Sequence, residues 1–276
     1  MSATDALRVF EHDGSFAGFL CAVAELLNAL ADGDDPRRCD VAAASRPAAF
    51  FEEREGVARD EGRAEQFLSR LRSRAGEAVV QTVLEAFCSD LEGAAEATAR
   101  MIAGVWRDGR VALDELGDPD ALLVEKAALR ARREAHLFTG LLRFSELLDA
   151  SLFASIDPDC DLLVLIGDHF SARFPLFRWA IRDERRDTAI LHEAGGPWKI
   201  VHGLHVAEGW GGMDDDGLPL SRDEASIREC WRRYFESVAI GERRNPRLQA
   251  SHMPRKYWKN LTEKRGRAST GLFPAQ

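Results

Sequence analysis

The spacing of apolar residues changes character along this chain, and that change limits the folds open to it. Phe16, Phe19, Leu20, Val23, Leu26, Leu27 and Leu30 recur at helical spacing, which predicts a helix with one buried face. Asp13-Gly14-Ser15 before it supplies turn and cap chemistry, and Leu7 to Phe10 predicts a short strand ahead of the turn. Residues 60 to 108 keep the helical period around Phe67–Leu71, Val79–Phe87 and Ala94–Trp106, with Gly76 and Ser89 as breaks. A polar joint from Asp114 to Asp120 leads into a helix over about Ala121 to Arg133.

The period then shortens. His136 to Phe144 alternates and predicts a strand, as do Leu152–Ile156, Phe177–Arg182, Thr188–His192 and Lys199–Val201. A helix over Leu162–Phe174, stopped by Pro175, lies among them. After a Gly- and Asp-rich loop over Gly209–Pro219, Ser221 and Glu224 form a capping box. The helix it opens carries Ile227, Cys230, Trp231, Tyr234, Phe235 and Val238 on one face. Asn245-Pro246 reads as a break, and a last helix runs from about Pro254 to Lys264. The class expected is α+β: a helical amino-terminal half, a small mainly antiparallel sheet with a helix in the centre, and a helical carboxyl-terminal segment. We expect one unit over residues 1–264, with regions 1–118, 119–205 and 206–264, followed by a flexible tail over 265–276.

Charge narrows the choice of partner. The net charge of −9 argues against a chain that binds polyanions over its whole surface. The distribution is uneven, however: 13 Lys and Arg face 6 Asp and Glu between Arg222 and Arg267. A positive end on a negative protein binds phosphate locally. The five cysteines are dispersed without a CxxC, which fits a reducing cytoplasm and offers no ligand set for an iron–sulfur cluster or zinc. Nothing at the start resembles a secretion leader, and no run has the length of a membrane span.

Three constellations carry chemistry. Arg243, Arg244, Arg247, Arg255, Lys256 and Lys259 are interleaved with Asn245, Gln249, Tyr257 and Trp258. Cations neutralise phosphates, amides bond bases or sugars, and rings stack on unpaired bases. Arg255 and Lys259 stand four apart, as do Arg228 and Arg232, a spacing at which like charges repel and a bound anion brings relief. The alternative is a solvated helix face with Tyr257, Trp258 and Leu261 packed on the core. Second, on a strand His136 shares one face with Phe138, Gly140, Leu142 and Phe144, with Glu134 two residues before it. His136 is then either a general acid or base or a core histidine bonded to a carbonyl. Third, His169 and Arg173 stand four apart in a helix. They form a cationic pocket for phosphate or carboxylate, or an aromatic anchor whose Arg173 pairs with Asp157, Asp183 or Glu184. Asp157-Pro-Asp159-Cys-Asp161 starts like a calcium loop but has Leu162 where that loop needs glycine. His202, His205 and Asp214–Asp216 lack a third ligand fixed by spacing.

The chain resembles a known family. Asp13-Gly14-Ser15-Phe16 with Gly18-Phe19-Leu20 is similar to its opening motif. Glu134-x-His136-x-Phe138-x-Gly140-x-x-Arg143-Phe144 and His169-Phe170-x-x-Arg173-Phe174 are similar to its central motifs. Trp231-x-x-Tyr234-Phe235, Ile240-x-x-Arg243, Asn245-Pro246-x-Leu248-Gln249 and Met253-Pro254-x-x-Tyr257-Trp258-x-x-Leu261-x-Glu263 are similar to its closing motif. The family is the group called probable DNA metabolism or putative DNA repair proteins, and the resemblance runs from about Leu7 to Glu263. It implies a neighbouring radical-SAM enzyme of DNA modification or repair as partner, and an association with uracil-DNA glycosylase domains. The iron–sulfur cluster and SAM would then reside in that partner, with no cofactor in this chain. The function expected is a nucleic-acid-binding accessory protein. The alternatives are an enzyme acting on damaged bases or nucleic-acid ends through His136, His169, Arg173 and Glu134, and a scaffold that grips the partner protein.

Overall fold

The computed structural model describes residues 6–108, 117–204, 220–237 and 245–263. They form a mixed α/β protein in two compact units, Met1–Arg132 and Arg133–Gln276. No helix among the described residues is long and apolar enough to cross a membrane, and the five cysteines are free thiols.

The first unit is built on three parallel strands. β1 (Leu7–His12) lies between β2 (Cys39–Ala43) and β3 (Glu52–Gly56), and Val9 pairs with Asp40 on one side and Arg54 on the other. The strand expected at Leu7 is present. β2 and β3 have no counterpart in the sequence reading, because β3 is Glu-Glu-Arg-Glu-Gly and shows no apolar alternation. Arg54 holds it by bonding Glu11 and Glu52 at 2.9 Å each.

The turn after β1 accounts for Asp13, Gly14, Ser15 and Gly18 of the opening motif. Asp13 Oδ1 accepts from the Ser15 N–H and hydroxyl, and Ser15 Oγ accepts from the Gly18 N–H to cap α1 (Phe16–Ala31). Gly14 takes φ of +88°, open to glycine without strain. A Cβ at Gly18 would stand 2.2 Å from Asp13 Oδ1. Phe19, Leu20, Val23 and Leu26 then face the core with α2 (Glu61–Ala75), α3 (Glu77–Phe87) and α4 (Ala94–Asp108). Each such side chain contributes about 1.5–3 kcal/mol on burial.

One expected strand is replaced by helix. α5 runs from Pro119 to Leu141, so the strand expected over His136–Phe144 does not form. Val124, Ala127, Ala128, Ala131, Glu134, Ala135 and Phe138 are all buried, and their spacing of three and four is helical. The apparent alternation at His136, Phe138 and Gly140 is one end of that longer pattern, and no breaker interrupts it.

The second unit carries a five-stranded sheet in the order β4 (Ser145–Glu146), β5 (Leu152–Ile156), β6 (Trp179–Asp183), β7 (Thr188–His192), β8 (Trp198–His202). β5 and β6 are parallel, joined through α6 (Leu163–Arg173), and the other pairings are antiparallel. Phe144 and Trp179 meet Phe170 edge-on, and Trp179 stacks on the buried His192 at 4.9 Å. Two more helices follow, α7 (Glu224–Ser237) and α8 (Pro246–His252). Asn245-Pro246 therefore starts a helix instead of breaking the chain. Asn245 caps Leu248 N–H and proline occupies the first turn, where its missing N–H costs nothing. The last helix expected is a 3-10 turn over Arg255–Asn260. The expected loop over 209–219 and the tail over 265–276 lie outside the described residues.

Gly167 has a local reason to be glycine. A Cβ there would stand 2.6 Å from the Trp198 ring, whose N–H donates to Asp168 at 2.7 Å. Exchanging glycine for alanine inside a helix usually stabilises by about 1 kcal/mol. Gly167→Ala is expected to do the reverse by displacing Trp198, lowering the denaturant midpoint, with a changed near-ultraviolet circular dichroism from the shifted indole.

Candidate functional site

The carboxyl-terminal turn is held by a buried carboxylate. Glu134 on α5 is 8 % exposed and accepts from the Asp159 and Cys160 backbone N–H at 3.0 and 2.8 Å and from the Tyr257 hydroxyl. Lys256 Nζ approaches the same Oε1 at 3.4 Å. Phe138, one helical turn on from Glu134, meets the Tyr257 ring edge-on at 4.7 Å. The helical spacing of Glu134 and Phe138 thus makes one seat, polar at one end and apolar at the other. Burial pushes the Glu134 carboxyl up, yet the Tyr257 hydroxyl and the two backbone N–H groups together hold it below its ordinary value. Burial and the bond to Glu134 push the Tyr257 phenol far up.

Acidic residues at the ends of the parallel strands receive the basic ones. Lys259 lies 2.8 Å from both Asp157 and Glu184, and Lys256 pairs with Asp159. Arg185 reaches Asp157 and Asp159 at 3.1 and 3.3 Å, and Arg186 bonds Asp183 at 2.8 Å. The bond from Lys259 holds Asp157 below the usual carboxylate range, and its bonds to Asp157 and Glu184 raise Lys259 in turn. The repulsion between Arg255 and Lys259 is therefore answered within the chain, Arg255 lying over the Trp258 ring at 5.7 Å. Arg228 and Arg232 are answered likewise, by Glu224 at 2.8 Å and Glu229 at 3.0 Å.

A second clamp uses Glu263, which is 4 % exposed. It accepts from Arg143 at 2.9 Å and from the Trp231 indole at 3.0 Å, while the Arg143 guanidinium lies 5.3 Å from the Trp231 ring centre. Tyr234 continues from Trp231 at 5.7 Å and is 57 % exposed.

The residues singled out from the sequence therefore divide. Tyr257 is buried and presents no face to a base, and Lys256 and Lys259 are engaged by carboxylates. Arg247 and Arg255 are exposed, Gln249 and Trp258 half-buried, and Asn245 caps α8. Arg243 and Arg244 lie outside the described residues. His136 on α5 and His169 and Arg173 on α6 are exposed, and no hydrogen bond, ion pair or ring contact joins them to one another among the described residues. Arg173 lies over Phe174 at 5.6 Å. The carboxylates expected for it, Asp157, Asp183 and Glu184, take Lys259, Arg185 and Arg186 instead. Glu134 is thus a clamp for the closing turn. Sequence reasoning missed Asp157, Asp159 and Glu263 as its counterparts, although the alternating acids of 157–161 were visible. Among the described residues no group of three or more His, Cys, Asp or Glu is arranged to hold a metal ion.

One family model, described as domain of unknown function DUF4130, matches residues 92–263. That span holds the central and closing motifs but not the turn at Asp13. No curated protein and no solved structure matches the chain.

Two measurements check the clamp. Tyr257→Phe leaves the buried Glu134 carboxylate short of one donor, and a loss of about 1–3 kcal/mol is expected in denaturant unfolding. Glu134 and Asp157 are held below their unfolded values, so their stabilisation is present at neutral pH. It fades as pH falls from the unfolded value of about 4 through the lower folded values. The protection of amides in residues 255–261 against hydrogen exchange, relative to their intrinsic rates at each pH, is expected to fall over that range before that of β1 does.

Proposed function

We propose for this chain, a member of the DUF4130 family, a role in DNA metabolism, on its resemblance to the putative DNA repair proteins. It acts as a nucleic-acid-binding accessory protein to a radical-SAM enzyme of DNA modification or repair. The observation that supports this is the outward face of residues 245–262. It contains no Asp or Glu, and it leaves Arg247 and Arg255 exposed, with Asn245 exposed and Gln249 half-buried in the same segment. On α7, Arg233 bonds Glu229 at 2.9 Å while its side chain stays 77 % exposed, and the Tyr234 ring is exposed. Guanidinium groups spaced along short helices suit backbone phosphates, and an exposed ring suits an unpaired base. The clamp residues Lys256, Tyr257 and Lys259 serve this face by fixing it. The iron–sulfur cluster and SAM belong to the partner in this scheme, the link to uracil-DNA glycosylase rests on the same family resemblance, and a cytoplasmic setting rests on the dispersed thiols.

The test separates contact residues from clamp residues. Arg233→Ala, Arg247→Ala and Arg255→Ala together are expected to weaken DNA binding and to reduce the dependence of log K on log salt by about 0.9 for each duplex phosphate lost. Unfolding of this triple variant should match that of the parent chain. An unchanged affinity and salt slope would remove nucleic acid from the proposal. Co-purification with the adjacent radical-SAM protein, with and without DNA, tests the partnership separately.

A further inference from the structure

A cavity of about 510 Å3 lies within the first unit. It is bounded by the second half of α1, the start of β2, the second half of α4 and the start of α5. Its volume falls in the range that holds a one- or two-ring ligand. Leu26, Leu30, Met101 and Trp106 give it an apolar wall.

Gly104 is the feature that sets this cavity apart from a packing gap. It stands inside α4, where glycine costs about 1 kcal/mol relative to alanine, and it lines the cavity. A Cβ built on it meets nothing within 4 Å. Neither a close neighbour nor a positive φ requires glycine here, in contrast to Gly18 and Gly14. Gly104 thus leaves its part of the wall open, with room for a larger side chain.

Among the described residues of the wall, Asp34 and Asp118 each keep one carboxylate oxygen to spare and Arg100 is fully used, while Arg107 and the Trp106 indole stand at the same wall. Arg100 spends Nε and Nη2 on Asp120 and Nη1 on Asp40, at 2.7–2.8 Å. Asp34 takes Arg8 and the Cys39 thiol on Oδ2 alone. Asp118 takes the Asp120 and Ala121 N–H on Oδ1 alone. The carboxyl end of α1 also borders the cavity, and its last turn has no basic residue. A helix carboxyl end carries partial negative charge.

We propose that this cavity is a binding site for a small organic cation, an ammonium group on an aromatic or branched apolar body. The apolar part lies against Leu26, Leu30 and Met101 in the room left by Gly104, and the ammonium donates to Asp118 and Asp34 at the rim.

The test uses the full chain with tryptamine, phenethylammonium and 4-phenylbutylammonium as cationic probes and indole-3-propionate as the anionic control. Calorimetry and thermal unfolding are expected to show binding of the cations and none of the anion. Gly104→Leu fills the space and improves helix propensity, so it should fold at least as stably as the parent while losing the cation-induced shift. Asp118→Asn keeps an Asx cap on α5 and should weaken cation binding about tenfold. Three results would each overturn the proposal: no binding by any of the three cations, equal binding of the anion, or cation affinity unmoved by Gly104→Leu.

Discussion

A carboxylate removed from water must have its oxygens bonded, or its burial costs several kcal/mol. Glu134 meets that condition with donors from two places far apart in the sequence, the backbone of 159–160 and the hydroxyl of Tyr257. The arrangement within the second unit depends on this. The loop after β5 is fixed because its N–H groups have an acceptor, and the closing turn is fixed because Tyr257 has both an acceptor and the Phe138 edge to pack on. Glu263 repeats the device with Arg143 and Trp231. Most of the closing motif's ionisable and aromatic residues are thus spent on holding a segment, and fewer are turned outward.

The same arrangement explains how a protein of net charge −9 carries a basic segment. Lys256 and Lys259 face Asp159, Asp157 and Glu184, so much of the local excess of cations is cancelled at short range. What remains outward is a set of guanidinium groups on α7, α8 and the turn. Arginine suits that task, since its planar fork bonds phosphate in pairs and stays charged at any working pH.

Legibility in the sequence followed the range of the forces involved. α1, its cap and the turn at Asp13 were readable because each depends on residues within four positions. The strands β5, β6 and β7 were readable because alternation is also local. β3 was invisible: its place beside β1 is set by charged pairs such as Arg54 with Glu11, and not by an apolar pattern. The stretch at His136 misled because a short window cannot tell alternation from the end of a helical stripe, and only the buried alanines upstream decide it. The basic segment was legible as a cluster of charges and rings. Its division into clamp and outward face was not, because that depends on acids about a hundred residues away.

Those separations also bear on the order in which the second unit is completed during synthesis. Tyr257 closes on Glu134 across 123 residues, Glu263 on Arg143 across 120, and Lys256 on Asp159 across 97. Contacts this distant in sequence form late, because loop closure must precede them. When α5 and β5 leave the ribosome, the Glu134 carboxylate has its backbone donors but not its phenol. Asp157, Asp159 and Glu184 likewise gain Lys256 and Lys259 only once residues 255–263 have been made.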